Sequence, residues 1–254
     1  QRVANVRDNF WAEARKGKDD WTFKSKYQAD VEALKKLPPP ETNVIRLASA
    51  PTGDDAKNVD WTAIAPVTIG RTIAGYPSET RTADLYLAHD GSNLYFRLVD
   101  HIAGDKVGDS GLKWWGDRWE MFLSRQSNRQ AGQTLEDRNR GDWGPYRQIG
   151  IRCNADKPDM WTSEFEGPYK SDWQYWPNLD LKLHNEKGAD HWTIYLTFPL
   201  KDISVLGGVK PGEFVYMNLI GSNETIKNVL ALSPTFNPGA YHNVPRLAGF
   251  KLME

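Results

Sequence analysis

Two adjacent indoles open the segment with the most chemical potential in this chain. Lys113-Trp114-Trp115-Gly116-Asp117-Arg118-Trp119-Glu120-Met121-Phe122-Leu123 leads from a loop into an alternating run. If Trp119, Met121 and Leu123 point into a core, Glu120 and Phe122 point the other way. Two neighbouring tryptophans in a loop do not both bury readily, so at least one is expected at the surface. A pyranose ring has flat C–H faces and a hydroxyl rim. An indole plate matches the face, and a carboxylate, amide or guanidinium matches the rim, the charged partners making the stronger hydrogen bonds. Trp114 or Trp115 beside Glu120 therefore supplies both halves of a sugar site. The aromatic census agrees: 11 Trp stand against 10 Tyr and 9 Phe, more indoles than one core readily buries.

Other chemistries leave no such trace. A serine nucleophile on a Gly-x-Ser-x-Gly turn is absent, as is a glycine-rich phosphate loop before a helix. His89, His101, His184, His191 and His242 are scattered, none at i, i+3 or i+4, and each reads as a surface or capping residue. Glu164 and Glu166 would share a strand face and read as solvated, because sequence spacing cannot set the separation of about 5–9.5 Å that glycoside hydrolysis needs. Asp100, Asp105 and Asp109 read as a solvated loop after a strand. Such oxygen-rich stretches suit calcium, but the spacing matches no known calcium loop. The expectation is a protein that is not an enzyme and requires no cofactor, with calcium left open as a structural ion.

The elements that must position these residues divide near residue 40. From Tyr27, apolar residues recur at Ala29, Val31, Ala33, Leu34 and Leu37, a helical spacing, and Pro38-Pro39-Pro40 ends it. Residues 1–40 are read as a helical appendage or the tail of an upstream domain. From there the rhythm becomes short alternating runs between Gly, Pro, Asn and Asp. Leu85 and Leu87 belong to one run and Leu94, Phe96 and Leu98 to the next, with the hairpin signal His89-Asp90-Gly91-Ser92 between them. Ile149, Ile151 and Cys153 share a face, as do Trp192, Ile194, Leu196 and Phe198, and Val215, Met217 and Leu219. Pro199 to Leu206 hints at a helical turn, and a last strand runs from Leu247 to Leu252. Residues 41–254 thus predict an all-β, antiparallel β-sandwich, immunoglobulin-like or jelly-roll-like. Ser127 to Gly144 reads as a long exposed loop.

The chain has 254 residues, 39% of them hydrophobic and 26% charged, which excludes intrinsic disorder. With 32 Lys+Arg against 33 Asp+Glu it lacks the basic excess of a nucleic-acid binder. Cys153 is the single cysteine, so an intramolecular disulfide is impossible. No apolar run approaches the 18 residues of a membrane span.

The ordered series of motifs resembles carbohydrate-binding module family 9, a DOMON-type sandwich, over roughly residues 43–254. It comprises Asp60-Trp61, the strand pair Leu85–Val99, Trp114-x-x-Asp117-x-x-Glu120 and Tyr146-Arg147-Gln148-Ile149. It continues with Trp192 to Leu200 before Asp202-Ile203, then Pro211-Gly212 leading to Tyr216-Met217-Asn218. Leu232-Ser233, Tyr241-His242-Asn243 and Leu247-Ala248-Gly249-Phe250 close it. The resemblance implies non-catalytic binding of an oligo- or polysaccharide, with a sugar between two aromatic rings that match Trp114, with Trp115 as fallback, and Tyr241. It implies Glu120 as the rim acid and Asn237 as an amide, with Tyr146, Arg147, Gln148, Arg152 and His242 completing the site. Where the family carries an arginine two residues after the strand glutamine, this chain has Gly150, and Arg152 or Arg147 is the candidate substitute. The resemblance further implies a role in polysaccharide degradation, an attached or partner enzyme to be targeted, and a secreted, periplasmic or cell-surface location. Two alternatives belong to the same sandwich superfamily or scaffold. One is a haem b electron-transfer domain with axial ligands drawn from Met, His or Lys, for which Met121 and Met217 read better as core. The other is an interaction domain with a degenerate sugar site.

Overall fold

A computed structural model describes residues 21–108, 117–125, 146–153, 162–164, 181–204, 207–236 and 246–254, with the backbone alone at 21–25 and 162–164. Of the positions discussed above, Trp114, Trp115, Asp109, Asn237, Tyr241, His242, Glu166 and the 127–144 loop lie outside the described residues. Among those described, one α-helix, α1 (Trp21–Lys36), precedes twelve strands. These are β1 (Glu41–Arg46), β2 (Val67–Ile69), β3 (Ala83–His89), β4 (Asn93–Asp100), β5 (Arg118–Ser124) and β6 (Arg147–Arg152). They continue with β7 (Thr162–Glu164), β8 (Lys182–Lys187), β9 (Trp192–Pro199), β10 (Phe214–Asn223), β11 (Asn228–Ala231) and β12 (Ala248–Leu252).

The hydrogen-bonded order β7-β6-β5-β10-β12-β1-β3-β4-β9-β8 forms one curled path that folds into two layers. The turning point is β1. Its first part, Glu41 to Val44, pairs with Gly249 to Leu252 of β12, and Ile45 and Arg46 then pair with Ala88 and His89 of β3. Both pairings are parallel, so β1 departs from the antiparallel expectation that the remaining pairs meet. A strand that changes sheets joins the layers through its own backbone.

The alternation read from sequence becomes the core between the layers. Trp119, Met121, Leu123, Ile149, Ile151, Val215, Met217, Leu219 and Phe250 of one layer meet Leu85, Leu87, Phe96, Leu98, Trp192, Ile194, Leu196 and Phe198 of the other. Met121 and Met217 are buried there as packing residues. Gly221 faces inward on β10, and a Cβ on it would stand 2.5 Å from the Trp119 indole. The absence of a side chain there is what lets the ring lie flat.

Asp100 is not a solvated loop residue. It ends β4, fully buried. Arg81 grips it through both carboxylate oxygens, with Arg81 Nε donating to Oδ1 at 2.8 Å and a second bond from Nη2 to Oδ2. Trp119 Nε1 donates to Oδ2 at 2.9 Å, and Arg81 Nη1 donates to the Gly221 carbonyl at 3.0 Å. A charge this deep persists because each of its oxygens is satisfied. Sequence could not show this, since Arg81 and Trp119 are both 19 residues from Asp100.

The predicted hairpin closes through Asp90. Its Oδ1 accepts the Ser92 and Asn93 N–H groups at 2.7 and 2.8 Å, and Oδ2 accepts the Tyr95 hydroxyl at 2.6 Å. Gly91 supplies the left-handed φ of 92° that the turn requires. His89, immediately before it, is fully buried and not the surface residue its sequence neighbours suggest. The turn after β9 is a single 3-10 turn, Leu200–Asp202.

Helix α1 lies along the sandwich. Val31 is buried beside Gly75 and Phe236. Asp30 pairs with Arg71 at 2.7 Å, Tyr76 donates to Gln28 at 3.1 Å, and Arg246 donates to the Leu37 carbonyl at 2.9 Å. Lys35 and Lys36 occupy its last turn, where cations favour the helix dipole. No helix among the described residues is long and apolar enough to cross a membrane.

Candidate functional site

The outward face of β5, β6 and β10 gathers the candidates Glu120, Gln148 and Arg152. Register places Glu120 opposite Gly150 on one side and Ile220 on the other, with Phe122 opposite Gln148 and Arg118 opposite Arg152. Period-two alternation then puts Arg118, Glu120 and Phe122 on one face with Gln148, Gly150 and Arg152, as the sequence predicts.

Glu120 is the centre of this face. Its Oε1 accepts from Arg118 Nε at 2.6 Å and its Oε2 from the Gln148 amide at 2.7 Å. The carboxylate is nearly buried, with 3% of its side chain exposed against 12% for Arg118. Each carboxylate oxygen has two lone pairs, so one bond apiece leaves further acceptor capacity. Among the described residues, no atom stands within 4 Å of where a Cβ on Gly150 would sit, and Gly150 itself is buried.

An apolar cluster borders the polar group. Tyr146 packs at 5.9 Å from Phe122, with Ile73, Ile220, Ala231 and Leu247. Burial drives the Tyr146 hydroxyl pKa far up, and the charge of Glu120 adds to it, so this phenol stays protonated. Arg147 and Arg152 are buried at the two ends of β6. Asn218, on the same outward face of β10, spends its amide on the backbone of Ser233, donating to the carbonyl at 2.9 Å and accepting the N–H at 2.9 Å. It fixes the segment after β11.

Asp117 belongs to the same motif as Glu120 but does different work. Its two oxygens accept the Gly108 and Glu224 N–H groups at 2.6 and 2.7 Å, tying two connections to the start of β5. Burial raises its pKa against the opposing pull of those two bonds. Sequence reasoning missed Arg118. The available signal was an arginine two residues before Glu120, on the same strand face.

The structure thus brings Glu120, Gln148 and Arg152 onto one face of β5 and β6, with Tyr146 at its border. Arg147 does not join them: paired with Leu123, it alternates to the inward face with Ile149 and Ile151. Trp114, Trp115, Asn237, Tyr241 and His242 are outside the described residues. No group of three or more His, Cys, Asp or Glu among the described residues could hold a metal ion.

No known protein family matches the sequence, and no curated protein does. Solved structures do match. A family 9 carbohydrate-binding module from Caldicellulosiruptor kristjanssonii, in complex with cellotriose, aligns with a TM-score of 0.56 at 12% identity, over 84% of this chain and 93% of the module. The same organism's module in complex with glucose gives 0.55 at 13% identity, over 84% and 95%. A protein from Bacteroides uniformis ATCC 8492, provisionally named carbohydrate-binding, gives 0.55 at 14% identity, over 84% and 99%. The likeness spans nearly the whole of each neighbour and is one of architecture: this chain has the fold of the family 9 carbohydrate-binding modules.

Proposed function

We propose that this chain binds carbohydrate without transforming it, at the outward face of β5, β6 and β10. The observation that carries the reading is the Glu120 carboxylate, held by Arg118 and Gln148 with one acceptor position on each oxygen unused by the described residues. The fold is one whose neighbours were solved with cellotriose and with glucose. A fixed carboxylate with spare lone pairs accepts hydrogen bonds from vicinal sugar hydroxyls, and a charged acceptor strengthens them. In this reading Trp114, with Trp115 beside it, and Tyr241 supply the two plates, Asn237 and His242 add rim contacts, and Arg152 takes the part of the arginine absent at Gly150. The chain then serves to anchor or target an attached or partner enzyme to polysaccharide outside the cell. A glycan array screened with the intact chain tests this: binding to a defined group of oligosaccharides supports it, and an array with no bound glycan contradicts it.

A further inference from the structure

The other layer carries a row on its outward face, away from the core between the layers, in which Tyr86 and Tyr195 border a smaller cluster of Ala56, Val59, Trp61 and Ile64. Register aligns Tyr86 of β3, Arg97 of β4, Tyr195 of β9 and His184 of β8. Their strand neighbours Leu85, Leu87, Phe96, Leu98, Ile194 and Leu196 point into the core, so this row points out. The Arg97 guanidinium stands between two rings, 5.0 Å from the Tyr86 centroid and 5.9 Å from that of Tyr195. Trp61 braces Tyr86 edge-on at 6.3 Å.

Among the described residues Arg97 has no hydrogen-bonding or ionic partner, and its Nε is buried without one. The bordering carboxylates are engaged elsewhere. Asp84 pairs with His101 at 2.7 Å, Asp55 with His184 at 2.8 Å and Glu186 with Lys57 at 2.6 Å. Burial pushes the Asp55 pKa up, but the Lys57 N–H and His184 outweigh it and hold the carboxyl below its usual range. The result is one cation, fixed by flanking rings and ringed by charges that already have partners. A half-buried guanidinium with no counter-charge suits an incoming anion.

We propose that the Tyr86–Arg97–Tyr195 row is a second binding site, which receives the carboxylate of an acidic saccharide, a uronate residue. The planar fork of arginine matches a carboxylate in two parallel bonds. The two tyrosines lie two strand spacings apart, about 10 Å, the span of a disaccharide, and their hydroxyls can meet the hydroxyls of the sugars on either side. A peptide fits less well. The row crosses the middle of a sheet whose backbone groups are already paired, so no strand can be added there. The site shares with the reading above only the class of ligand, since Glu120 lies on the opposite layer.

The test is a calorimetric titration of the intact chain with trigalacturonate, with a glucuronate-bearing xylo-oligosaccharide, with the methyl ester of whichever binds, and with poly-glutamate. At least one acidic sugar is expected to bind, at least tenfold more tightly than its ester, and to weaken as salt is raised. Arg97→Gln is expected to abolish that binding and Arg97→Lys to weaken it about tenfold, both with melting temperatures close to wild type. Glu120→Gln is expected to leave it unchanged. Loss of uronate binding in Glu120→Gln with retention in Arg97→Gln would move the ligand to the other face and overturn the proposal. No binding of either acidic sugar, equal binding of acid and ester, or equal, Arg97-dependent binding of poly-glutamate would overturn it as well. The ester and salt comparisons use wild-type protein, so they decide the matter even if an Arg97 variant fails to fold.

Discussion

Gln148 and Glu120 meet across the β5–β6 pair at 2.7 Å, amide to carboxylate, with Arg118 on the second oxygen at 2.6 Å. The carboxylate is therefore oriented before any ligand arrives. Glu120→Gln removes the charge while keeping the shape. Hydrogen bonds to charged groups are worth about 1.5–3 kcal/mol, so sugar affinity should fall roughly ten- to hundredfold by titration calorimetry. Arg118 also loses its counter-charge, so a melting curve should show a modest drop, and affinity is measured well below it. Unchanged affinity with a lowered melting temperature would leave Glu120 purely structural.

The Arg81–Asp100 pair predicts a different pattern. Both side chains are essentially buried and doubly bonded. Arg81→Ala leaves the Asp100 charge without its counter-ion, and breaking such a pair costs about 3–5 kcal/mol. For a chain near this size that lowers the melting temperature by roughly 10 °C, with no direct effect on ligand contacts. A loss below about 1 kcal/mol would mean that the pair behaves as a surface one.

His89 and Asp90 both contribute to the acid limb of stability. Burial lowers the pKa of His89 against the pull of the Met253 backbone, and Arg46 alongside adds to the drop. The unfolded chain therefore takes up this proton first, and stability should begin to fall as pH drops below about 6.5. Asp90 is also depressed: burial raises it, but the Tyr95 hydroxyl and the Asn93 and Ser92 N–H groups outweigh burial. Its contribution is present above the ordinary value of about 3.9 and is lost as pH falls through the folded pKa. Urea denaturation from pH 8 to pH 3 should show the first decline shrink in His89→Leu and the second in Asp90→Asn. A decline below neutrality of equal size in His89→Leu and wild type would remove His89 from the account.

Helix α1 should contribute to stability without being required for the fold. Val31 is its one buried apolar anchor among the residues with described side chains, and the Asp30–Arg71 pair is too exposed to count for more than about 0–1 kcal/mol. Val31→Ala removes two methyl groups and should cost about 1.6 kcal/mol. A chain starting at Glu41 should melt cooperatively at a lower temperature. Insolubility of that chain would show that the helix is part of the core.

Alternation made much of this legible. Each of β4, β5, β9 and β10 buries one face against the other layer, so period two is written into its residues, and the placing of Glu120, Gln148 and Arg152 on one face followed from it. What was not legible has a common cause. β8, Lys-Leu-His-Asn-Glu-Lys, is a partly exposed edge strand and has no apolar face to announce it. β1 buries only Val44 and takes its meaning from two partners far along the chain. Asp100 and His89 carry polar labels that local sequence reads as surface, and only the tertiary neighbours Arg81, Trp119 and Arg46 reveal their burial. Arg118 was visible in sequence but gains its role from the carboxylate beside it.

The most direct measurement is calorimetric titration of the intact chain against neutral gluco-, xylo-, manno- and galacto-oligosaccharides, alongside Trp114→Ala and Tyr241→Ala. Saturable binding of at least one series is expected, with each substitution abolishing most of the affinity and leaving the melting temperature unchanged, because a platform ring is not part of the core. Absence of binding across all four series, or full affinity in both variants, would contradict the carbohydrate-binding account.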